Sequence, residues 1–350
     1  MIETLAQAII KAAVSSGVSD IHILPQSQLY HVYFRVNSQL VFYQHLSIDL
    51  GKRFISYFKF LADMDVGEKR KPQSGAAQLP ILEQLVELRM STITNVNLLE
   101  SLVIRVFAQQ PTQNQTIQTY FPNDLVILRQ LFLRKSGLIL FSGPVGSGKT
   151  TTIYQLLRER IAQEPLQVMT MEDPVEIYEQ SFLQTQVNEK AGISYDTLIR
   201  ASLRHHPDIL LIGEIRDETT AKMVIRGALT GHLMIATIHA KNALGVIARL
   251  QELGISDEQL RQTLIGIISQ RLVPRLCCLC HDKCHRYCTH LPTHQKRSAI
   301  LEILTADELH RTLYQKTEQA LPTLSLNRKL RKAWAYGYIT EKAYQQFELV

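Results

Sequence analysis

Residues 143–150 (GPVGSGKT) have the pattern G-x-x-x-x-G-K-[ST] of a phosphate-binding loop. Glycines at this spacing let backbone N–H groups converge on phosphate oxygens, and the helix that follows adds the positive end of its dipole. The pattern stands between an apolar strand pattern (LILF, 138–141) and a helical pattern, the context that a P-loop requires. In such a loop the lysine contacts the β- and γ-phosphates and the final hydroxyl binds Mg²⁺. The predicted nucleotide-binding residues are Gly143, Pro144, Val145, Gly146, Ser147, Gly148, Lys149, Thr150 and Thr151.

Two acidic motifs follow the loop, each at the end of an apolar segment. Residues 209–212 (ILLI) precede Gly213 and Glu214, a Walker B arrangement, so we predict that Glu214 and Thr150 together bind Mg²⁺ or its water. Residues 168–176 (VMTMEDPVE) place Glu172 at the end of another strand pattern. We interpret Glu172 as the carboxylate that orients the attacking water, because hydrolysis of a phosphoanhydride needs positioning more than covalent chemistry. The alternative is a solvated acidic turn fixed by Pro174.

A histidine ends a third apolar segment, in residues 230–240 (TGHLMIATIHA). Ligands of open α/β sheets bind at the carboxyl ends of the strands. His239 is therefore predicted to sense the phosphate, and the alternative is a structural histidine.

All five cysteines fall within residues 277–288, where Cys277, Cys280, Cys284 and Cys288 have the spacing C-x2-C-x3-C-x3-C. Zn²⁺ takes four such ligands in a tetrahedron, and a turn followed by one helical turn can supply them. The alternative is a set of free thiols. A redox role is disfavoured because no thioredoxin-like pattern surrounds the cysteines.

The elements that must position these residues fall into successive stretches. Residues 1–110 show one amphipathic helix and several alternating strands, which predicts a small α+β domain. The polar stretch 111–123 is the predicted linker. Residues 124–275 alternate strands with helices, which predicts an α/β domain with a parallel sheet. Residues 276–350 contain the cysteine cluster and two helical stretches, near 297–317 and 325–347.

Composition excludes several other classes of protein. The chain is 45% hydrophobic and 20% charged, as in ordinary globular proteins, and no apolar run approaches the ~20 residues that span a bilayer. The net charge of +6 weakly favours anionic partners. The basic clusters at 69–71 and 328–332 are interpreted as solvated faces, because no groove with interleaved aromatic residues accompanies them. We expect a cytoplasmic protein that does not bind nucleic acid directly.

The order of P-loop, EDPVE (172–176), GEIRD (213–217) and TGHL…TIHA resembles the type II/IV secretion ATPases, which drive pili, secretion pseudopili and DNA-uptake machines. The segments SDIHILP (19–25), FRVNSQL (34–40), LRMST (88–92) and VIRVF (103–107) resemble the N-terminal domain of that family. The resemblance implies ATP hydrolysis by a homohexamer, with a RecA-like core at 124–275 and a PAS-like domain at 1–110. It also implies that Arg89 and Arg105 act at the nucleotide. Ser74-Gly75-Ala76 departs from the family's usual Asp-Gly-Arg, so no function is carried over to that loop.

The short N-terminus and the tail (RSAILEIL, then KLRKAWAYGYITEKAYQQF) most resemble the competence pilus assembly branch of Gram-positive bacteria. That branch implies a motor for DNA uptake, located at the inner face of the cell membrane on a polytopic membrane platform protein. Members of the assembly class often carry two separated CxxC pairs that bind zinc, and here the second pair is compressed against the first. The alternatives are a retraction or type II secretion ATPase, a DNA-stimulated translocase, and a nucleotide-gated scaffold without useful turnover.

Overall fold

A computed structural model describes residues 2–36, 39–82, 84–108, 117–188, 191–281, 288, 290–292, 295–315 and 325–349. The chain divides into two compact units, Met1–Asn114 and Gln115–Val350. None of the helices in the described ranges is both long and apolar enough to cross a membrane.

In its described residues the N-terminal unit is an antiparallel sheet of six strands with two helices. The sheet order is β3-β2-β1-β6-β5-β4, and every neighbouring pair is antiparallel. The elements are α1 (Ile2–Ser15), β1 (Asp20–Gln26), β2 (Leu29–Val36), β3 (Gln39–Ser47), α2 (Ile48–Leu61), β4 (Gln73–Ile81), β5 (Gln84–Thr94) and β6 (Glu100–Ala108). In α1 the residues Ala6, Ile9, Ile10 and Ala13 are buried, at the spacing of one helical face. The helices and the inward face of the sheet share one hydrophobic core.

The C-terminal unit is built on a sheet of seven strands in the order β13-β12-β7-β11-β10-β8-β9. Its first elements are α3 (Pro122–Phe132), β7 (Gly137–Ser142), α4 (Lys149–Ile161), β8 (Val168–Glu172), β9 (Leu183–Gln186), α5 (Tyr195–Ser202), β10 (Ile209–Ile212) and α6 (Glu218–Leu229). The remaining elements are β11 (Leu233–Ile238), α7 (Ala243–Glu252), α8 (Asp257–Thr263), β12 (Leu264–Pro274), β13 (Arg297–Thr305), α9 (Ala306–Gln315), α10 (Leu326–Ala335) and α11 (Glu341–Phe347). Apolar side chains cover both faces of the sheet, in two clusters. The predicted fold class, an α/β core preceded by a small α+β domain, is confirmed.

One strand of this sheet differs from the sequence prediction. Residues 297–305 were expected to be helical, but they form β13, which pairs antiparallel with β12. The strand is buried on both faces, from Ser298 to Leu304. A short strand of this kind has an almost continuous apolar sequence, which periodicity cannot distinguish from a buried helix. The sheet is therefore mixed at one edge, and the core extends beyond residue 275.

Part of the predicted linker is packed against the C-terminal unit. Residues 111–116 lie outside the described residues, but Thr119 pairs with Ala299 on β13. The Tyr120 hydroxyl donates to the Val273 carbonyl at 3.1 Å. The segment from 117 to 123 is thus a structured edge of the core.

Candidate active site

The phosphate-binding pattern forms the turn between β7 and α4. Gly143, Gly146 and Gly148 have φ values of 143°, 75° and 82°, in the region that side chains disfavour. At Gly143 a Cβ atom would lie 2.4 Å from the Gln270 carbonyl oxygen, so glycine is also required by space. The loop thus has the tight backbone that a phosphate cradle needs, and α4 begins at Lys149.

Lys149 lies against its own loop and beside two carboxylates. Its Nζ donates to the carbonyl oxygens of Gly143 at 2.8 Å and Pro144 at 3.2 Å. Burial lowers the pKa of Lys149, and the charges of Glu214 and Glu176 oppose that shift. The three charged groups therefore belong to one site.

The structure brings Glu176 to the predicted Mg²⁺ ligand Thr150. Thr150 Oγ1 donates to Glu176 Oε2 at 3.4 Å. A hydroxyl and carboxylates are oxygen ligands of the kind that Mg²⁺ takes. Thr150 and Glu176 thus offer oxygen donors of this kind side by side, and Mg²⁺ binding by Thr150 and Glu214 stays a prediction.

Glu214 lies at the centre of a hydrogen-bonded cluster at the carboxyl ends of the parallel strands. His239 Nε2 lies 2.9 Å from Glu214 Oε1, and Arg216 Nε donates to Glu214 Oε2 at 2.7 Å. Arg216 Nη1 also donates to Asp173 Oδ2 at 2.9 Å, so this arginine joins the two acidic motifs. The Glu214 carboxylate raises the pKa of Arg216. Arg216 lies within GEIRD but was not predicted as a site residue, because only the fold shows which acids it reaches.

Glu172 has a more enclosed position than its predicted role suggests. Its Oε1 accepts hydrogen bonds from Tyr154 Oη at 2.5 Å, Thr170 Oγ1 at 2.7 Å and Gln184 Nε2 at 3.4 Å. Burial raises its pKa, and these three donors oppose the shift. The role of Glu172 in orienting water remains a prediction.

Gln270, on β12, supports the phosphate-binding loop from behind. Its side chain is buried, and Nε2 donates to the Ser147 carbonyl at 2.8 Å and to Thr152 Oγ1 at 3.1 Å. β12 pairs parallel with β7, which brings these residues together across more than a hundred residues of sequence. No local pattern in the sequence identifies this contact.

The two predicted arginines lie on the N-terminal unit. Arg89 on β5 and Arg105 on β6 are direct cross-strand partners, so their side chains share one face of the sheet. Arg105 Nε donates to Asp20 Oδ1 at 3.0 Å, and Arg89 Nε donates to Glu87 Oε1 at 2.9 Å. The structure therefore brings the two arginines together, each beside an acid of its own unit.

Three of the four predicted cysteine ligands lie together, and His290 joins them. The Cys277, Cys280 and Cys288 sulfurs and His290 Nδ1 lie within 4.8 Å of one another. Cys284 lies outside the described residues. Cys277 Sγ and Cys280 Sγ lie 3.9 and 3.7 Å from Cys288 Sγ, and the three sulfurs lie 3.2–3.6 Å from Nδ1. Metal–sulfur bonds of about 2.3 Å in a tetrahedron give sulfur–sulfur edges of about 3.8 Å, so the donors fit Zn²⁺.

The turn that carries the first two cysteines favours thiolates. Backbone N–H groups of Cys280 and Leu279 lower the pKa of the Cys277 thiol to about 6. The spacing C-x-H at 288–290 is the sequence signal that could have identified His290.

The similarity of this chain to known proteins extends over nearly its whole length. Residues 1–346 match the family described as Type II/IV secretion system protein. The chain is 41% identical over 344 residues to competence protein ComGA of Halalkalibacterium halodurans, covering 97% of each chain. It is 38% identical over 348 residues to competence protein ComGA of Bacillus subtilis, covering 99% of this chain and 98% of the relative.

Two solved structures share the fold. The X-ray structure of the Legionella pneumophila ATPase DotB has a TM-score of 0.72 at 19% identity, covering 98% of this chain and 95% of the other. The crystal structure of the pilus retraction motor PilT with bound ADP has a TM-score of 0.68 at 22% identity, covering 98% of this chain and 97% of the other.

Proposed function

The chain belongs to the type II/IV secretion system protein family, and from this premise we propose that it is the ATPase motor that powers assembly of a competence pilus for DNA uptake. One observation carries the proposal: the similarity to two competence proteins runs from end to end, with no large segment left over on either side. That coverage includes both the N-terminal stretch and the tail, the segments on which the resemblance to the competence branch rests.

The P-loop residues hold and orient the phosphates in this proposal. The N–H groups of residues 143–149 bind the phosphate oxygens, and Lys149 exchanges the carbonyls of Gly143 and Pro144 for the β- and γ-phosphates. Thr150, Glu176 and Glu214 would hold Mg²⁺. When bound, Mg²⁺ neutralises charge that develops on the phosphate oxygens.

The remaining residues act on water and on the γ-phosphate. Glu214 is held in place by His239 and Arg216, so its carboxylate is fixed at the edge of the site. His239 senses the γ-phosphate through its hydrogen bond with Glu214. Glu172 orients water, and Arg89 and Arg105 supply positive charge to the transferred phosphoryl group, which an arginine can stabilise by a factor of about 10³–10⁵.

The assembly and location of the protein are proposals of the same kind. We propose a homohexamer in the cytoplasm, bound to a polytopic membrane platform protein at the inner face of the membrane. Hexamer formation predicts that ATP turnover per chain rises with protein concentration as rings form. Flat activity under dilution across the range where mass measurement shows dissociation would contradict it.

The decisive experiment compares Lys149→Ala with the parent in purified protein and in a deletion strain. The variant should fold normally and lose ATP turnover, because the cation that stabilises the phosphoryl group is gone. The strain that carries it should lose transformation and pilin export, which the parent gene restores. Near-normal turnover would contradict the proposed site. If Lys149→Ala loses ATP turnover but the strain still transforms normally, a retraction or secretion motor is favoured. Stimulation of the parent's turnover by added DNA would favour a translocase.

We also propose that Cys277, Cys280, Cys288 and His290 bind one Zn²⁺ ion. Purified protein should contain about one equivalent of zinc per chain, and a chelator should lower its melting temperature, because binding energy of the metal is folding energy. His290→Ala should release zinc more readily than His281→Ala, the matched control outside the cluster. Metal-free protein with five titratable thiols would contradict the zinc proposal and leave the ATPase proposal untouched.

A further inference from the structure

Arg271 is a buried cation on β12, three residues before the strand ends, with a relative exposure of 7%. Its Nη2 donates to the Lys241 carbonyl at 2.5 Å, and its Nη1 donates to the Gln270 carbonyl at 3.1 Å. Lys241 follows His239 by two residues, in the loop between β11 and α7. One guanidinium group is thus bound to the loop that carries the proposed phosphate sensor.

The same guanidinium lies beneath the phosphate-binding loop. A Cβ atom placed on Gly143 would be 3.2 Å from Arg271 Nη1 and 2.4 Å from the Gln270 carbonyl oxygen. The positive charge of Arg271 also contributes to lowering the pKa of Lys149. Arg271 therefore lies between the first residue of the P-loop and the His239 loop.

Neutral carbonyls, rather than a carboxylate, hold this charge. Among the described residues no acid lies within ion-pair distance of Arg271. Burial lowers its pKa, and the charge of Glu302 opposes that shift. Glu302 Oε2, on β13, accepts a hydrogen bond from the N–H of Ala243 at 2.9 Å. The end of the His239 loop that leads into α7 is therefore also held by a residue of the sheet. The loop is held at Lys241 by the Arg271 guanidinium and at Ala243 by the Glu302 carboxyl group.

We propose that Arg271 is a positioning residue that couples the P-loop to His239. Its planar, two-armed guanidinium holds the carbonyls of Gln270 and Lys241 at a constant separation, which a single ammonium group cannot do. When phosphates displace the P-loop, Arg271 moves the Lys241 carbonyl with it and so shifts His239 relative to Glu214, its partner at 2.9 Å. Arg271 thus acts on hydrolysis through His239 and not by contact with ATP. The inference rests on the proposed ATPase function of this site.

The test compares Arg271→Met and Arg271→Lys with Arg297→Met. Arg297, on the neighbouring strand β13, is a half-buried arginine whose pKa is also lowered by burial, so it is a matched control. Steady-state kinetics give kcat and KM, calorimetry gives the affinity for ADP, and hydrogen exchange reports on the backbone amides of residues 239–243. Thermal melting identifies any variant that does not fold.

Arg271→Met should lower kcat by about tenfold or more, the loss expected for a charge-assisted hydrogen bond, while the affinity for ADP changes by less than about threefold. Exchange at 239–243 should become faster. Arg271→Lys should recover part of kcat and part of the protection, and Arg297→Met should resemble the parent in both. If Arg271→Met leaves kcat unchanged, or if kcat falls with no change in exchange at 239–243, the coupling role is wrong. If the parent itself does not hydrolyse ATP, the proposed function fails. The hydrogen-exchange comparison still tests whether Arg271 holds the loop of residues 239–243.

Discussion

Replacing Lys329 by methionine removes the cation of a buried ion pair that joins α10 to α3. Lys329 Nζ lies 2.6 Å from Asp124 Oδ1, and the two side chains are 5% and 6% exposed. Asp124 Oδ2 is buried without a hydrogen-bond partner in the described part of the chain, so Lys329 is the principal compensation for this carboxylate. Removing one member of such a pair costs about 3–5 kcal/mol of unfolding free energy, because the other charge stays buried and unpaired.

The pH dependence of this loss follows from the carboxyl group. Burial raises the pKa of Asp124 above its ordinary value, and Lys329 opposes the shift. Without Lys329 the pKa rises further, so the folded state takes up a proton at mildly acidic pH while the unfolded state does not. Stability then increases as pH falls towards the ordinary carboxyl range. The deficit of Lys329→Met should therefore be largest at neutral and alkaline pH and smaller near about pH 5.

Urea unfolding followed by Trp334 fluorescence measures this effect directly. Trp334 is the single tryptophan and lies on α10, stacked on Tyr344 with ring centroids 5.1 Å apart. Lys342→Met, an exposed change on the neighbouring helix α11, is the control and should shift stability by less than about 0.5 kcal/mol. Adding Asp124→Asn to Lys329→Met should recover most of the loss by removing the unpaired charge. A deficit under about 1 kcal/mol for Lys329→Met, or one that does not change with pH, would refute the argument.

Three further outcomes are expected. Glu214→Gln should bind ATP and hydrolyse it at least tenfold more slowly, since only the carboxylate charge is removed; unchanged single-turnover rates would contradict this. Arg89→Ala and Arg105→Ala should each lower turnover at least tenfold with a much smaller change in nucleotide affinity, and parental rates in both would exclude the arginine-assisted mechanism. Burial raises the pKa of Glu302, so parental stability should fall as pH rises from about 4.5 through the folded-state pKa. In urea unfolding at several pH values, the unfolding free energy of Glu302→Gln should fall less steeply with rising pH than that of the parent. Equal dependence on pH in the two proteins would exclude this carboxyl group as the source.

Local sequence patterns predicted those features of the site whose residues are close to one another in sequence. Glycines at 143, 146 and 148 were predicted to shape the loop, and each has a positive φ in the structure. The strands that end at Glu172 and Ile212 were recognisable because parallel strands buried on both faces have continuous apolar sequences. Ordered motifs then identified the family, which the match over residues 1–346 confirms.

Contacts between distant residues required the fold. Gln270 reaches Ser147 across 123 residues, and Arg216 reaches Asp173 across 43, with no periodicity that relates them. His290 was not predicted as a metal ligand for a different reason. The spacing of the cysteines already offered four sulfur ligands, so no further ligand was sought.

The amino-acid sequence alone predicted the phosphate-binding loop and the strands that end in acids, and it identified the family, because each of these depends on residues within a few positions of one another. Tertiary structure decided the rest. It turned residues 297–305 into an antiparallel edge strand, which places Glu302 against Ala243 at the start of α7. It also placed Arg271 between the P-loop and the His239 loop, since β12 packs beside β7 only once the sheet has formed. Burial and pairing of charges depend on this packing, and no local pattern encodes them.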